Sequence, residues 1–402
     1  MEDLKSTACK AIDAAYPDLK ALSKEIYDNP ELNFEEFHAH EVLTNLLEKY
    51  GFAVERSFKV ATAFKATHGS TDNGGPNIAV LCEYDALPGM GHACGHNLIA
   101  EVGVATALGA KAAMEASGKT LGKLTVLGTP AEEGGGGKVD LIRAGAFSGV
   151  DVAMMAHPSQ CNLPRPVMVA MNQATIQFQG RASHAASFPW NGVNALDAAV
   201  LCYQNISCLR QQIKPSWRIH GVISNGGAKP NIIPEFTELQ YMIRAPTDQE
   251  LVVLKAKFEA CVHGAAQATG CTVECRFDDK PYSALMSNNI LAALYETNGS
   301  QVGIQFEQDP AKIAKQGGST DMGNVSHVVP SIHPKFHFGT TASGHSVDFA
   351  KAAGREEAQG YTLSVGKALA MTVIDLFQNP DMIPQIQEQF KQDLQKEEQA
   401  AV

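Results

Sequence analysis

The chain has 402 residues, of which 45% are hydrophobic and 19% charged, the balance of a soluble globular protein with room for two or three domains. A net charge of −11 argues against nucleic acid as the main partner, because phosphate binding needs clustered Lys and Arg. No window reaches the roughly 18 apolar residues of a membrane span, and MEDLKSTACKAIDAAYPDL lacks the apolar run of a secretory signal.

In chain order, residues 2–28 and 34–50 carry apolar residues at helical spacing. Leu43, Leu46 and Leu47 share a face of the second helix, and Gly51 stops it. Between the two helices, NPELNFEE is a turn. Asn77–Tyr84 predicts a buried strand, 97–114 a helix of small residues, Leu121–Thr129 a second strand and Val152–Ala156 a third. That order predicts βαβ units and a parallel sheet covered on both faces.

The pattern changes after about residue 170. ATIQFQG alternates as a half-exposed strand does. A helix over 191–213, strands over 217–224 and 236–243, a helix over 247–268 and the strand CTVECRF follow. This is the split βαβ order of ferredoxin-like domains. It predicts an α+β domain at 170–284, inserted between an α/β part at 1–169 and its continuation at 285–402. Helices over 354–377 and 381–397 close the chain, and KQDLQKEEQAAV is read as a fraying helix end.

Candidate ligands gather where predicted strands end. Glu83–His96, EYDALPGMGHACGH, packs Asp85, His92, Cys94 and His96 among glycines. Cys94 and His96 are two apart, so in extended chain they point the same way, and a thiolate with an imidazole suits zinc or another borderline metal. Glu132 and Glu133 follow the strand LTVLGT and precede four glycines. Open α/β sheets build sites at that edge. One of the two carboxylates would bind metal and the other would carry a proton. His157 ends the third strand, and His345 lies in the loop TASGHSVDF. Nine scattered cysteines favour free thiols in a reducing compartment, so a cytoplasmic location is expected.

Several signals fail. GMGHACG is not the dinucleotide fingerprint, GGGGK lacks the rest of a P-loop, and neither HExxH nor GxSxG occurs. Cys271 and Cys275, four apart on a predicted strand, are read as core packing or a surface position and not as a metal clip.

NPELNFEE, DALPGMGHACGH, PAEEGGGGK, GRASHAA, PWNGVNALDA, NGGAKPNIIPEFTELQYMIRAP, GGSTDMGNVSHVVP and the His345 loop occur in that order. Over nearly its whole length the chain thereby resembles the M20 metallopeptidases, and the HACGH form is similar to their amidohydrolase branch, subfamily D. The resemblance implies a mostly parallel-sheet, metallo-aminopeptidase-like (phosphorylase/hydrolase-like) catalytic domain with an inserted ferredoxin-like lid and dimerisation domain. It implies two divalent metal ions, zinc first, with manganese or cobalt as alternatives. Cys94 would bridge them, with His96, Glu133, His157 and His345 as further ligands. Glu132 would be the general acid/base, and Asp85 would orient a ligand imidazole. Other branches carry a ligand His where this chain has Glu83, and His96 is expected to take over. His184 would reach the oxyanion from the lid of a partner subunit, which makes a homodimer necessary. Asn231 and Arg244 would anchor a substrate carboxylate. Gly318, Ser319, Thr320 and Asp321 fall in a family loop near the pocket.

The expected activity is hydrolysis of the amide bond of small dipeptides or N-acyl amino acids, with β-alanyl-lysine and β-alanyl-ornithine first. A broader N-acyl-amino-acid or aminobenzoyl-glutamate-type amidohydrolase is the alternative. A non-catalytic binding protein on the same scaffold is the alternative of another class.

Overall fold

The computed structural model describes residues 3–315 and 317–399. The first residue of the helix expected over 2–28 and the last three of KQDLQKEEQAAV lie outside them. The chain divides into two compact units, Met1–Val167 with Leu285–Leu394, and Met168–Ala284 with the segment from Gln395.

The first unit opens with α1 (Leu4–Ala14), α2 (Tyr16–Asp28) and α3 (Phe37–Lys49). The helix expected over 2–28 is divided at Ala15. Pro17 has no N–H to donate, and its ring excludes the carbonyl four residues back. β1 (Ala53–Arg56), β2 (Phe64–Gly69) and β3 (Asn77–Cys82) follow, then α4 (His96–Ala116), β4 (Lys123–Gly128), α5 (Gly137–Arg143), β5 (Val152–Met154) and β6 (His157–Ser159).

The second unit holds β7 (Ala170–Gln179), α6 (Ala195–Leu209), β8 (Arg218–Asn225), β9 (Phe236–Ala245), α7 (Asp248–Thr269) and β10 (Thr272–Phe277). Its sheet runs β10-β7-β9-β8, all antiparallel, which is the ferredoxin-like order. β7 alternates buried and half-buried residues, and its inner face packs Ile176 and Phe178 with Leu239, Phe258 and Val262. The helix expected over 191–213 is shorter because Asn194 caps it, its side chain accepting from the Leu196 N–H at 2.9 Å.

The chain then returns to the first unit with α8 (Asn289–Gln301), the short α9 (Pro310–Ile313) and α10 (Met322–Ser326), β11 (Ser331–Ile332), β12 (Lys335–His337), α11 (Val347–Ala353), α12 (Glu357–Gln378) and α13 (Met382–Gln399), whose last residues from Gln395 count with the second unit. Its main sheet has the order β1-β2-β4-β3-β5-β11. β4, β3, β5 and β11 are parallel, and β1 and β2 add an antiparallel edge. β12 pairs with β6 in a separate two-stranded ladder. β3 is buried at every residue, as a central parallel strand must be. α4 lies close against it. A Cβ on Gly103 would stand 2.4 Å from Cys82 Sγ, so only glycine permits that approach.

Between α4 and α12 the carboxyl of Glu101 is buried and accepts from Gln359 Nε2 at 3.0 Å. Burial pushes it up to about 8. The unfolded chain loses this proton near pH 4.3, while the folded chain keeps it to about 8, so stability falls as pH rises between the two. Glu101→Gln keeps the shape and cannot ionise. Its unfolding free energy should fall less than that of the parent between pH 5 and 8, the difference being on the order of a few kcal/mol. Parallel melting curves across that range would refute the assignment.

Candidate active site

Because β3, β4, β5 and β11 are parallel, the residues that follow them share one sheet edge. Glu83 and Asp85 follow β3, Glu132 and Glu133 follow β4, His157 follows β5 and His333 follows β11. Cys94 comes from the glycine-rich turn before α4 and His96 is the first residue of that helix; between them Gly95 has φ +77°, and a Cβ on it would strike the Pro158 ring at 2.6 Å.

The imidazoles are oriented by their far nitrogens. His96 Nδ1–H donates to Asp85 Oδ1 at 2.9 Å, which turns the buried Nε2 toward the cluster. Nε2 has no hydrogen-bond partner among the described residues and stands 3.5 Å from Glu83 Oε2, 3.9 Å from Glu133 Oε1 and 4.0 Å from Glu132 Oε2. His157 Nδ1–H donates to the Pro158 carbonyl at 2.8 Å, and its Nε2 lies 3.4 Å from Cys94 Sγ. The other oxygen of Asp85 accepts the Glu133 N–H at 2.9 Å. His345, with φ +60°, donates its backbone N–H to the Ala93 carbonyl at 2.9 Å, and its Nε2 stands 3.4 Å from Glu133 Oε1.

Two ligand groups share the Cys94 thiol: Cys94 with His96 and His157, and Cys94 with Glu133 and His345. In each, the donor atoms lie within 4.8 Å of one another. One sulfur common to two sets of nitrogen and carboxylate donors fits a pair of divalent ions.

The two adjacent carboxyls are pushed apart. Burial raises Glu132 well above the usual carboxylate range, and Glu83, Glu133 and Asp321 add to it. Burial also works to raise Glu133, but His345 and His96 outweigh it and hold that carboxyl below its ordinary value. One site thus has a carboxyl suited to carry a proton beside one suited to remain an anionic ligand. Burial, with Glu133 beside it, raises the Cys94 thiol well above its usual range, and a bound cation would reverse that.

Sequence reasoning missed several neighbours. Lys138 Nζ pairs with Glu83 Oε1 at 2.5 Å and Asp321 Oδ1 at 2.6 Å, with all three side chains fully buried. Burial opposes the lysine charge, but Asp321 and Glu83 outweigh it and raise Lys138. The lysine ends the string GGGGK, whose only local signal is an incomplete P-loop. His333 stacks on His157 at 5.6 Å between ring centroids, and neither of its ring nitrogens has a hydrogen-bond partner among the described residues. SIHP is too short to show periodicity. His92 turns away from the cluster toward the Ile26 carbonyl, 3.0 Å from Nε2. Cys271 is buried in the second unit's core and Cys275 packs against it, as expected. A cavity of about 550 Å³ elsewhere in the first unit, lined by Gln160, Phe306, His337 and Tyr361, shares no residue with the cluster.

His184, Asn231 and Arg244 belong to the second unit. His184 pairs with Ile232 in an antiparallel bridge, and the Ala185 N–H donates to the Asn231 carbonyl at 3.1 Å, so His184 and Asn231 lie in adjoining segments. His184 Nδ1 accepts the N–H groups of Ala186 at 3.2 Å and Ser187 at 3.1 Å, which puts the neutral ring's proton on Nε2. Arg244 is half-buried in β9, opposite Arg218 of β8 and Met171 of β7. Asp321 precedes α10, and its Oδ2 accepts the Lys138 N–H at 2.9 Å.

An α/β unit with thiol, imidazole and carboxylate ligands at the ends of its parallel strands, in one chain with a ferredoxin-like unit, defines a metal-dependent hydrolase. The chain belongs to peptidase family M20/M25/M40, whose model matches residues 79–356. The Xaa-Arg dipeptidase of Homo sapiens is 49% identical over 99% of this chain and 94% of its own length. That of Mus musculus is 50% identical over 99% and 94%. A p-aminobenzoyl-glutamate hydrolase polypeptide of Escherichia coli is 34% identical over 81% of this chain and 71% of its own. A dinuclear metal-binding M20 peptidase of Bacillus subtilis shares the fold, with a TM-score of 0.68 at 18% identity over 90% of this chain and 99% of that one. The protein is a metallopeptidase-class enzyme that uses divalent metal and acts on a small molecule. Among the described residues no helix is long and apolar enough to cross a membrane.

Proposed function

We propose that this enzyme hydrolyses dipeptides with a basic C-terminal residue, arginine, lysine or ornithine, including β-alanyl-lysine and β-alanyl-ornithine. The observation that carries the mechanism is the Cys94 sulfur shared by two ligand groups, with Glu132, a carboxyl of raised proton affinity, beside them. Near-full-length likeness to the Xaa-Arg dipeptidases supports the substrate class. The likeness to the aminobenzoyl-glutamate hydrolase favours a broader N-acyl-amino-acid amidohydrolase as the second reading.

Cys94, His96, His157, Glu133 and His345 would hold two ions, zinc first and manganese or cobalt as alternatives. When bound, such a pair polarises an amide carbonyl and makes water a nucleophile near neutral pH. Glu132 takes the proton from the attacking water and returns it to the leaving nitrogen. Asp85 keeps His96 in the tautomer that leaves Nε2 free to ligate. His184 Nε2–H, supplied by the lid of a second subunit in a homodimer, donates to the developing oxyanion. Asn231 and Arg244 hold the substrate carboxylate, a planar anion suited to a guanidinium fork. Free thiols throughout the described chain support a cytoplasmic location.

The test is a panel of dipeptides and N-acyl amino acids, run with metal analysis on the same sample. Xaa-Arg, β-alanyl-lysine and β-alanyl-ornithine should be cleaved with the highest kcat/KM. Chelation should abolish turnover while leaving the fold intact by circular dichroism, and zinc or manganese should restore it. A preference for N-acyl groups over basic dipeptides would move the assignment to the second reading. Full activity in the chelated enzyme would remove the metal from the mechanism.

A further inference from the structure

We propose that Glu36 is a positioning residue for the reaction, because its carboxylate clamps the left-handed turn that carries Glu132. The proposal rests on the reading of Glu132 as the proton carrier.

Glu36 is fully buried at the N-terminus of α3, yet its side chain makes no capping bond to that helix. Instead Oε1 accepts two backbone N–H groups, from Phe34 at 3.0 Å and from Ala131 at 2.9 Å. Oε2 accepts the Thr62 hydroxyl at 2.8 Å. Both amides held by Oε1 belong to residues with positive φ, Phe34 at +62° and Ala131 at +60°. Residues with a Cβ rarely enter this region unless their surroundings hold them there. One oxygen therefore secures two strained residues, and the second lies 95 positions along the chain from Glu36 itself.

The two segments also pack on each other. A Cβ on Gly135 would lie 2.5 Å from the Phe34 ring and 2.6 Å from the Ala131 Cβ, and one on Gly134 would lie 2.8 Å from Asn33 Nδ2. The Ala131 carbonyl accepts from Gly135 at 3.1 Å and from Gly137 at 3.3 Å, which closes the loop on itself. Glu132 thus sits between two anchored amides, Ala131 on Glu36 and Glu133 on Asp85. Release of the first lets Ala131 relax to negative φ and swings Glu132 with it, while the ligand side chains keep their own supports.

The test compares Glu36→Leu and Glu36→Gln in the full-length enzyme. Glu36→Leu should lower kcat about 30-fold or more, with KM changed less than about twofold and the metal content unchanged. Glu36→Gln should stay within about threefold of the parent, because an amide oxygen can still accept both N–H groups. Adding Ala131→Gly to Glu36→Leu should recover about fivefold in kcat, since glycine adopts positive φ freely. Amide hydrogen exchange supplies a readout without turnover: the Ala131 amide should exchange at least about tenfold faster in Glu36→Leu, with the rest of the sheet unchanged. If Glu36→Leu does not fold, Glu36→Asp, one methylene too short to reach, carries the same expectations. Parent-like exchange at Ala131 in the Leu or Asp variant, or parent-like kcat, overturns the proposal. An active Glu132→Gln enzyme would instead remove the role given to Glu132, and the exchange result would still decide whether Glu36 holds the loop.

Discussion

Glu132→Gln is expected to lower kcat by about 10²–10⁴-fold, the usual contribution of a positioned general acid/base. The amide has the shape of the carboxyl but cannot take a proton from water or return one to a leaving nitrogen. Glu132 lies within reach of His96 and Glu133 but outside the two groups that share Cys94, and with those two groups intact the metal content should be unchanged. KM should change little, because substrate binding is assigned to other residues. Steady-state kinetics with metal analysis on one preparation checks both parts. Unchanged kcat would exclude Glu132 from proton transfer. Loss of metal in parallel with activity would make it a ligand instead. The environment supports the first outcome, since burial and three neighbouring carboxylates raise the proton affinity of Glu132, which strengthens it as a base toward water.

The second large effect concerns stability. Lys138→Met should destabilise the folded chain by about 3–5 kcal/mol, the range for breaking a buried pair by removing one partner. Lys138 is the cation that both Glu83 and Asp321 contact, and none of the three reaches solvent. Methionine fills most of the volume but leaves two buried carboxylates facing each other without a counter-charge. A triple variant, Lys138→Met with Glu83→Gln and Asp321→Asn, should recover most of the loss. The recovery would separate charge imbalance from lost packing, and thermal melts of parent, single and triple variants measure it. A single variant that melts within about 2 °C of the parent would rule out this account, because the expected loss corresponds to a larger shift.

Much of the site was legible because its residues carry chemistry at fixed places in a simple pattern. A run such as NIAVLC predicts a buried strand by composition alone, and the residues just past such strands were the ones to inspect. Other elements left a weaker trace. β1 has four residues, mostly exposed, and β11 and β12 have two and three, so their periodicity is too short to register. Pro17 was visible, but the apolar spacing on either side of it continues smoothly, and the pattern hid the break. Lys138, Glu83 and His333 are polar residues in apolar surroundings, and no local pattern shows that they are buried together.

The sequence by itself determined the hydrophobic order of an α/β unit with an inserted ferredoxin-like unit. It also placed Glu132, Glu133 and His157 at strand ends, and Cys94, His96 and His345 in glycine-bearing stretches. These follow from side-chain periodicity and turn chemistry, which act over a few residues. Tertiary structure alone decided that the Cys94 sulfur serves two ligand groups, and that His92 faces the Ile26 carbonyl instead of the cluster. It also decided that two neighbouring glutamates differ in proton affinity. Each of those depends on burial and on charges brought from distant parts of the chain, and both quantities exist only once the sheet edge has formed.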